Sequence, residues 1–218
     1  MSEESTTPGW VRDGLRRAEV SDWRPGGHGH LLGEPVLLCL GYWFPREVYD
    51  QGGNLLAEGR TTQSRSGLAR VLPRLASVDL FDVHGQLQFV LSTNKPWDRK
   101  LFTATAADGR EIGTVVSQGK QRGRILVDGA PAGQIMDATA SRWGLKTGYK
   151  RDDFTVYDAN DSRVGRVAQL DSKEQTPLVI EIEQSASETF RALMLIVGAA
   201  IRYRRQLEGP APLPRDKH

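Results

Sequence analysis

The run Ala-Leu-Met-Leu-Ile-Val-Gly-Ala-Ala-Ile at residues 192–201 contains no polar side chain, and Arg191 and Arg202 flank it. A helix that crosses a bilayer needs about 20 apolar residues, so this run is too short to span a membrane. A helix that is hydrophobic on every side must nevertheless be buried. The run therefore predicts a core helix, spanning residues 187–206, that the preceding parts of the chain enclose.

Both ends of this segment carry helix signals. Ser185 and Glu188 have the spacing of a capping box, in which the two side chains satisfy backbone N–H groups at the helix N-terminus. Arg202, Arg204 and Arg205 would lie in the last turn, where positive charge complements the helix dipole. The sequence thus favours a helix start close to Ser185.

Five hairpin-like repeats precede the helix. Each has a short β-prone run, a turn of Asp, Gly, His or Asn, and a second β-prone run. The repeats lie at residues 48–57, 80–90, 101–116, 125–135 and 154–167. Asp-Gly and Asn-Asp pairs at such turns supply the positive φ that tight hairpins require. The repeats predict a series of antiparallel strands.

Glycine recurs at one position of three repeats. Gly113, Gly133 and Gly165 each lie four residues after a turn residue. Glycine inside a strand weakens it unless the strand bends or another backbone approaches closely. The recurrence predicts a curved sheet that folds around something, and the apolar helix is the natural occupant.

The rest of the chain divides into a domain and two tails. Residues 1–34 contain Pro8, Pro25 and several glycines without an apolar period, which predicts a flexible N-terminal arm. Residues 35–206 form the folded domain, and residues 207–218 indicate a disordered tail. A second, shorter helix is indicated near residues 67–72, before Pro73.

Composition narrows the class of protein. A chain of 218 residues with 39% hydrophobic and 26% charged residues suits one globular β-rich domain. The single cysteine, Cys39, excludes an internal disulfide and lies in an apolar run, which predicts a buried thiol. The N-terminus lacks the basic and apolar regions of a secretory signal, so we expect a cytoplasmic location.

The ordered series of hairpins and the terminal helix resemble the tubby-like superfamily. That group includes the tubby C-terminal domains, the phospholipid scramblases and the LURP-one-related proteins. The resemblance is carried by residues 48–50, residues 154–158, the Gly113, Gly133 and Gly165 series and residues 190–201. It implies a mainly β fold, an antiparallel β-barrel of about twelve strands around a central hydrophobic C-terminal helix.

The resemblance implies function less directly. Tubby domains bind phosphoinositides through basic residues, whereas scramblases are associated with calcium and with membrane-embedded terminal segments. Asp158, Asn160 and Ser162 have the spacing of a calcium loop, but Arg163 stands where that loop needs glycine, which favours an ordinary turn. The short apolar run also counts against scrambling, and no metal or other cofactor is expected.

The sequence contains few residues that could carry out catalysis. Of the four histidines, His28, His30 and His218 lie in the predicted tails, and His84 lies at a hairpin turn. Little remains from which a Ser-His-Asp or Cys-His site could be built. No phosphate-binding loop or dinucleotide fingerprint is present in the sequence. We therefore expect a binding protein and not an enzyme.

Charge is unevenly distributed along the chain. Residues 95–151 carry eleven Lys or Arg against five Asp or Glu, and residues 152–188 carry three against nine. Two interpretations remain open: neighbouring strands carry complementary charges that pair on the surface, or one basic surface faces an anionic partner.

The candidate binding residues are basic and lie on or beside the third and fourth connections between repeats. They are Lys120, Arg122, Arg124, Arg142, Lys146, Lys150 and Arg151, with Trp143 and Tyr149 among them. Arg and Lys at such positions can bind phosphate groups. The leading hypothesis is a non-enzymatic adaptor that recognises anionic phospholipid headgroups, such as phosphoinositides, at a membrane periphery. A solvated hairpin rim, a protein–protein scaffold with no lipid role and, less favoured, nucleic-acid binding are the alternatives.

Overall fold

The described residues of the computed structural model comprise twelve antiparallel strands in one closed barrel and two helices. The structure describes residues 7–20, 29–41, 45–61, 77–93, 101–117, 122–138, 151–170 and 177–208, with the backbone alone at residues 101, 117, 151, 152, 170 and 202–208. The helices are α1 (Gly9–Arg17) and α2 (Glu188–Glu208). The strands are β1 (Val36–Leu40), β2 (Glu47–Tyr49), β3 (Leu55–Thr61), β4 (Ser77–Asp82), β5 (Leu87–Thr93), β6 (Leu101–Ala106), β7 (Glu111–Ser117), β8 (Arg122–Val127), β9 (Ala130–Asp137), β10 (Arg151–Asp158), β11 (Arg163–Leu170) and β12 (Leu178–Ile182). This architecture confirms the predicted fold class.

Strands that follow one another along the chain pair with each other, and β1 pairs with β12 to close the barrel. Closure places Val36 opposite Glu181 and Cys39 opposite Leu178. The five hairpin turns lie at one end of the barrel, which we call the turn end. The connections from one hairpin to the next leave from the opposite end, which we call the connection end.

The hairpin turns use the left-handed backbone conformation that the sequence predicted. In four turns, the N–H of a residue with positive φ donates to the carbonyl three residues earlier. These residues are Gly53, Gly85, Gly109 and Asp161, with φ of 87°, 76°, 86° and 58°. In the fifth turn both Asp128 and Gly129 have positive φ, 52° and 74°, which is the combination of a type I′ turn. All five predicted hairpins are confirmed.

One extra residue forms a β-bulge in the second strand of every hairpin. In the β6–β7 hairpin, Ala104 pairs with Gly113 but Thr105 pairs with Glu111, so Ile112 is the extra residue. Equivalent shifts make residues 56, 88, 132 and 164 the extra residues of the other four hairpins. A bulge bends and twists its strand. The repeated bulge therefore supplies the curvature with which the sheet closes.

The predicted glycine series directly follows these bulges and faces α2. A Cβ atom at Gly113 would lie 2.8 Å from Leu193 Cδ2, and one at Gly165 would lie 2.7 Å from Met194 Cε. At Gly165 the added atom would also collide with the carbonyl oxygen of Glu181 on the next strand. The glycines thus allow the helix and the neighbouring strand to approach closely, as the sequence predicted.

Helix α2 lies inside the barrel. Every apolar side chain from Ala192 to Ile201 is at most 9% exposed, and the helix contacts β6, β7, β11 and β12. The enclosed helix is therefore confirmed, but its bounds differ from the predicted 187–206. Because its backbone remains helical to Glu208, residues 207 and 208 belong to the helix and not to the predicted tail. Residues 209–218 lie outside the described part of the chain.

Helix α2 is capped by Ser187, so the prediction of Ser185 was wrong. Ser187 Oγ accepts a hydrogen bond from the backbone N–H of Phe190 at 3.3 Å. Ser185 lies in the preceding turn, in which the N–H of Ala186 donates to the carbonyl of Glu183 at 3.0 Å. The turn that follows β12 is longer than the sequence pattern suggested, so the N-cap lies two residues later than predicted.

Arg191 links the N-terminal end of α2 to the barrel by hydrogen bonds. Its guanidinium donates 3.2 Å hydrogen bonds to four carbonyl oxygens, those of Leu32, Glu183, Gln184 and Ala186. This arginine, which directly precedes the apolar run in sequence, therefore holds the start of α2 at the turn end of the barrel.

The prediction of a flexible arm over residues 1–34 was wrong for the segments that the structure describes. Helix α1 buries Val11, Leu15 and Ala18 against an apolar strip on the outer face of the barrel, formed by Val36, Leu38, Ala168 and Val179. A Cβ atom at Gly14 would lie 3.0 Å from Pro177 Cγ, so the glycine permits this close packing. Residues 1–6 and 21–28 lie outside the description, as does the predicted helix at 67–72.

Candidate anion-binding surface

Strand β8 presents two arginines on the outside of the barrel. Arg122 and Arg124 are exposed, whereas Gly123 and Ile125 between and after them are buried. Side chains of a strand alternate between its two faces, so both guanidinium groups leave the same face, with Cα atoms about 7 Å apart. These are two of the predicted candidate residues, and the strand brings them side by side.

The remaining candidates can be located only in part. Lys120, Arg142, Lys146 and Lys150 lie outside the described residues. The backbone of Arg151 begins β10, and its side chain is not described. Adjacent strands β7 to β10 have their ends Ser117, Arg122, Asp137 and Arg151 at the connection end. Arg122 and the backbone of Arg151 therefore lie at the connection end, and Arg124 follows two residues further along β8.

The two exposed arginines have uncharged partners across the strands. Arg122 pairs in register with Met136, and Arg124 pairs with Gln134 and with Val116. Within the described part of the chain, neither arginine forms an ion pair. Among the described residues no carboxylate pairs with either guanidinium group, and an anionic oxygen can accept charge-assisted hydrogen bonds from such groups.

An apolar pocket opens next to Arg122. Residues of β7 to β10 and the part of α2 near the connection end line it: Val115, Arg122, Gly123, Ile135, Phe154, Ala200 and Ile201. Its volume is about 30 Å³, which is room for about two water molecules. The sequence did not indicate this pocket, because it depends on how the end of α2 meets four strands.

The turn end carries the opposite charge. Its exposed or half-buried acidic residues include Asp82, Asp108, Glu111, Asp128, Asp158, Asp161, Glu183 and Glu188. Several are held by turn geometry; Asp158 Oδ1 accepts the N–H groups of Asn160 and Ser162, so the loop considered for calcium is a hydrogen-bonded turn. The described basic side chains at this end are those of Arg110, Arg163 and Arg191.

The described acidic side chains therefore cluster at the turn end, whereas the connection end carries both signs, since Glu47 and Asp137 lie there together with Arg46 and Arg122. The described ion pairs of the acidic segment are internal to it, as in Arg163 with Glu183 at 3.0 Å. None of the ion pairs between described residues joins residues 95–151 to residues 152–188. Both interpretations of the charge asymmetry stay open, because most basic side chains of residues 95–151 lie outside the described residues.

A second charged cluster, on β10 to β12, is buried beneath α1. Arg166 binds Glu181 at 2.5 Å and Asp153 at 3.0 Å, and it donates to the carbonyl of Ala18 at 2.7 Å. All three side chains are at most 14% exposed. Burial raises the pKa of the Glu181 carboxyl, and the charge of Arg166 only partly opposes this rise. The cluster connects α1 to the barrel wall.

The other residues considered as catalytic or metal-binding candidates have structural roles. Cys39 is a buried thiol in the core, as predicted. His84 is exposed in its turn, where its backbone N–H donates to Asp82 Oδ1 at 2.9 Å. In the portion of the chain that is described, no group of three or more His, Cys, Asp or Glu side chains could hold a metal ion.

Comparison with known proteins does not assign the chain to a family. No family model, no curated protein and no solved structure matches this chain significantly. The tubby-like resemblance thus stays a prediction, although the barrel and its inner helix have the arrangement that the resemblance implies. Across the residues described, no helix is both long and apolar enough to cross a membrane.

Proposed function

We propose that this chain is a non-enzymatic module that binds anionic phospholipid headgroups, phosphoinositides among them, through the connection end of its barrel. The observation that carries the proposal is the pair of exposed arginines on β8, Arg122 and Arg124, whose described cross-strand partners are uncharged. Two cations on one strand face can bind the oxygens of one phosphate group or of two adjacent headgroups. The resemblance to tubby domains favours the same ligand.

The acidic turn end favours a membrane over a soluble anion as the partner. An anionic bilayer attracts the arginine-bearing end and repels the acidic turn end, so one orientation is favoured. In that orientation, the end of α2 that follows Ile201 also faces the bilayer. We therefore propose a peripheral location at membranes that expose anionic lipids.

The test replaces the two arginines and measures binding to vesicles. Each basic side chain near an anionic surface contributes about 1 kcal/mol, so Arg122→Gln with Arg124→Gln should weaken vesicle binding about 30-fold. The matched control, Arg12→Gln with Arg110→Gln, removes the same charge from exposed positions on α1 and at the turn end. Equal loss in both double variants would show a nonspecific charge effect and would refute the proposed surface.

A protein-interaction module is the second candidate, and one feature of α1 favours it. The ring of Trp10 is 39% exposed and packs edge-on against Tyr49, with 5.1 Å between ring centroids. Exposed tryptophans are enriched among residues that dominate binding between proteins. Affinity purification with wild-type protein and with Trp10→Ala tests this candidate, because loss of a specific partner in the variant would support it.

A further inference from the structure

Two aromatic rings form an open corner on the outer face of the barrel. The ring planes of Trp10 on α1 and Tyr49 on β2 are inclined at 76°, with 5.1 Å between their centroids. Trp10 is 39% exposed, although the large apolar surface of a tryptophan is mostly buried in folded proteins. The faces of aromatic rings carry partial negative charge and attract cations. We call this pair of rings the aromatic corner.

Two carboxylates lie close to the Tyr49 ring of the aromatic corner. The Tyr49 hydroxyl donates to Glu47 Oε2 at 2.9 Å, and Glu47 lies directly opposite Glu58 in the pairing of β2 with β3. Burial, the hydrogen bond to Glu47 and the charges of both glutamates raise the pKa of Tyr49, so both carboxylates act on this ring. Like charges directly opposite each other destabilise a sheet. A cation from outside the chain would therefore stabilise this arrangement.

The two glutamates have little compensating charge among the described residues. Glu47 forms no described ion pair, not even with its exposed neighbour Arg46, and Glu58 contacts Arg60 at 3.8 Å between side chains that are both more than half exposed. Exposed ion pairs of this kind contribute little. The Arg60 guanidinium also lies over the Phe81 ring, 4.6 Å from its centroid. The outer face thus already binds one guanidinium by an aromatic ring and a carboxylate, and the aromatic corner offers both kinds of contact to a second.

The chemistry of the aromatic corner narrows the kind of cation. A quaternary ammonium ion can lie on aromatic rings but has no N–H group to donate to the two carboxylates. A lysine ammonium donates, but it is strongly hydrated and has no flat face, whereas a guanidinium is planar, stacks on rings and carries five N–H donors that match carboxylates. Because Trp10 and Glu58 are exposed, the corner is open and suits a side chain of another protein better than a small molecule that requires enclosure.

We propose that the aromatic corner, together with Glu47 and Glu58, is a docking site for an arginine side chain in a basic segment of a partner protein. The inference rests on the second candidate function, protein interaction through Trp10, and is independent of headgroup binding by Arg122 and Arg124. It extends that candidate by assigning the chemistry of the partner. Arginine is also among the residues that most often dominate binding between proteins.

NMR titration of the full chain with short peptides tests the inference. The probe is a blocked decapeptide of glycine and serine with two adjacent arginines; its control carries citrulline, which is planar but uncharged, at both positions. The indole N–H signal of Trp10 is assigned by its loss in Trp10→Phe. We expect the arginine peptide to shift this signal to saturation and the citrulline peptide to leave it unchanged. Equal shifts with both peptides, or no shift with the arginine peptide, would overturn the inference.

Variants assign the binding to the proposed residues, with dissociation constants measured by fluorescence anisotropy of the labelled arginine peptide. Glu47→Gln with Glu58→Gln keeps both side-chain volumes and should weaken binding about tenfold, since two exposed ion pairs are lost. Trp10→Ala should weaken it about fivefold, as expected for an exposed cation–π contact. The matched control, Asp108→Asn with Asp128→Asn, removes the same charge from exposed turns and should leave binding unchanged. Equal weakening in the two double variants would show nonspecific attraction and would overturn the site.

Further outcomes separate this inference from the functions proposed above. Binding of the arginine peptide by a chain that does not bind anionic vesicles would support the inference and refute the headgroup function. If a specific protein partner is lost in Trp10→Ala but retained in Glu47→Gln with Glu58→Gln, protein interaction is supported and the arginine site is overturned. A larger shift of the Trp10 signal with phosphocholine than with the arginine peptide would identify the cation as a lipid headgroup and would also overturn the inference.

Discussion

Replacement of Gly165 by alanine tests the fit between helix and barrel most sensitively. The new Cβ atom would lie 2.7 Å from Met194 Cε and would collide with the carbonyl oxygen of Glu181. The methionine can move, but the carbonyl belongs to the paired strand β12 and cannot. Overpacking costs about 1–3 kcal/mol, and the backbone collision puts this change near the upper value, about 3 kcal/mol. For a chain of this size, that corresponds to a fall in Tm of about 6–12 °C.

A double-mutant cycle identifies the helix as the cause. Met194→Ala alone should cost about 2–5 kcal/mol, because Met194 is completely buried. In the double variant, the alanine at position 165 occupies space that the methionine has left, so the combined cost should be smaller than the sum by about 1 kcal/mol. Leu91→Ala, a buried change on the opposite wall, should instead be additive with Gly165→Ala.

The measurement is urea unfolding followed by circular dichroism, with Gly9→Ala as the control for a glycine whose Cβ would meet no atom within 4 Å. Gly9→Ala should change the free energy of unfolding by less than about 0.5 kcal/mol. A Gly165→Ala variant as stable as wild type, or additivity with Met194→Ala, would refute the close packing of α2 on β11.

Two further predictions concern the outer face of the barrel. Leu15→Ala should release α1, at a cost of about 2–5 kcal/mol, so hydrogen exchange should accelerate in residues 9–20 and stay slow in β4 and β5; uniform acceleration would contradict a separately docked helix. Because burial raises the pKa of Glu181, the native state holds its proton more tightly than the unfolded chain does. Its stabilising contribution is complete below the unfolded pKa and is lost as pH rises through the folded pKa. The free energy of unfolding of wild type minus that of Glu181→Gln should thus fall as pH is raised from 4 to 7, and a rise would contradict the assignment.

The inner helix and the hairpins could be predicted because their signals are local. The unbroken run at residues 192–201 is incompatible with exposure, and Asp-Gly turns need only neighbouring residues to set their conformation. The glycines at 113, 133 and 165 were also informative, because their recurrence at one position of the hairpins indicates close contact with another element of the fold. The bulges could not be predicted, because a bulge is defined by pairing between two strands.

The N-terminal helix was missed because its glycines were interpreted as signs of a loop. Val11, Leu15 and Ala18 do have helical spacing, but Pro8, Gly9 and Gly14 surround and interrupt this short stripe. Gly14 is required by contact with Pro177, more than 160 positions later, which no local pattern reveals. The cluster formed by Arg166, Asp153 and Glu181 was missed for the same reason.

The candidate site was predicted in part. The basic character of residues 120–151 identified Arg122 and Arg124, and strand alternation explains why both are exposed on one face. The neighbouring pocket depends on Ala200 and Phe154, which come from distant positions of the chain. The acidic turn end arises because turns rich in aspartate all lie at one end of the barrel, which depends on barrel topology and not on sequence order.

Co-sedimentation of the full chain with vesicles tests the central claim most directly. Neutral phosphatidylcholine vesicles are compared with vesicles that also contain a phosphoinositide, at low and at near-physiological salt. Screening at physiological ionic strength weakens long-range attraction beyond about 8 Å but spares direct contacts between arginine and phosphate. We predict selective binding to the phosphoinositide vesicles that persists at the higher salt. Binding that disappears at that salt, or equal binding to neutral vesicles, would contradict a headgroup-reading function for this barrel.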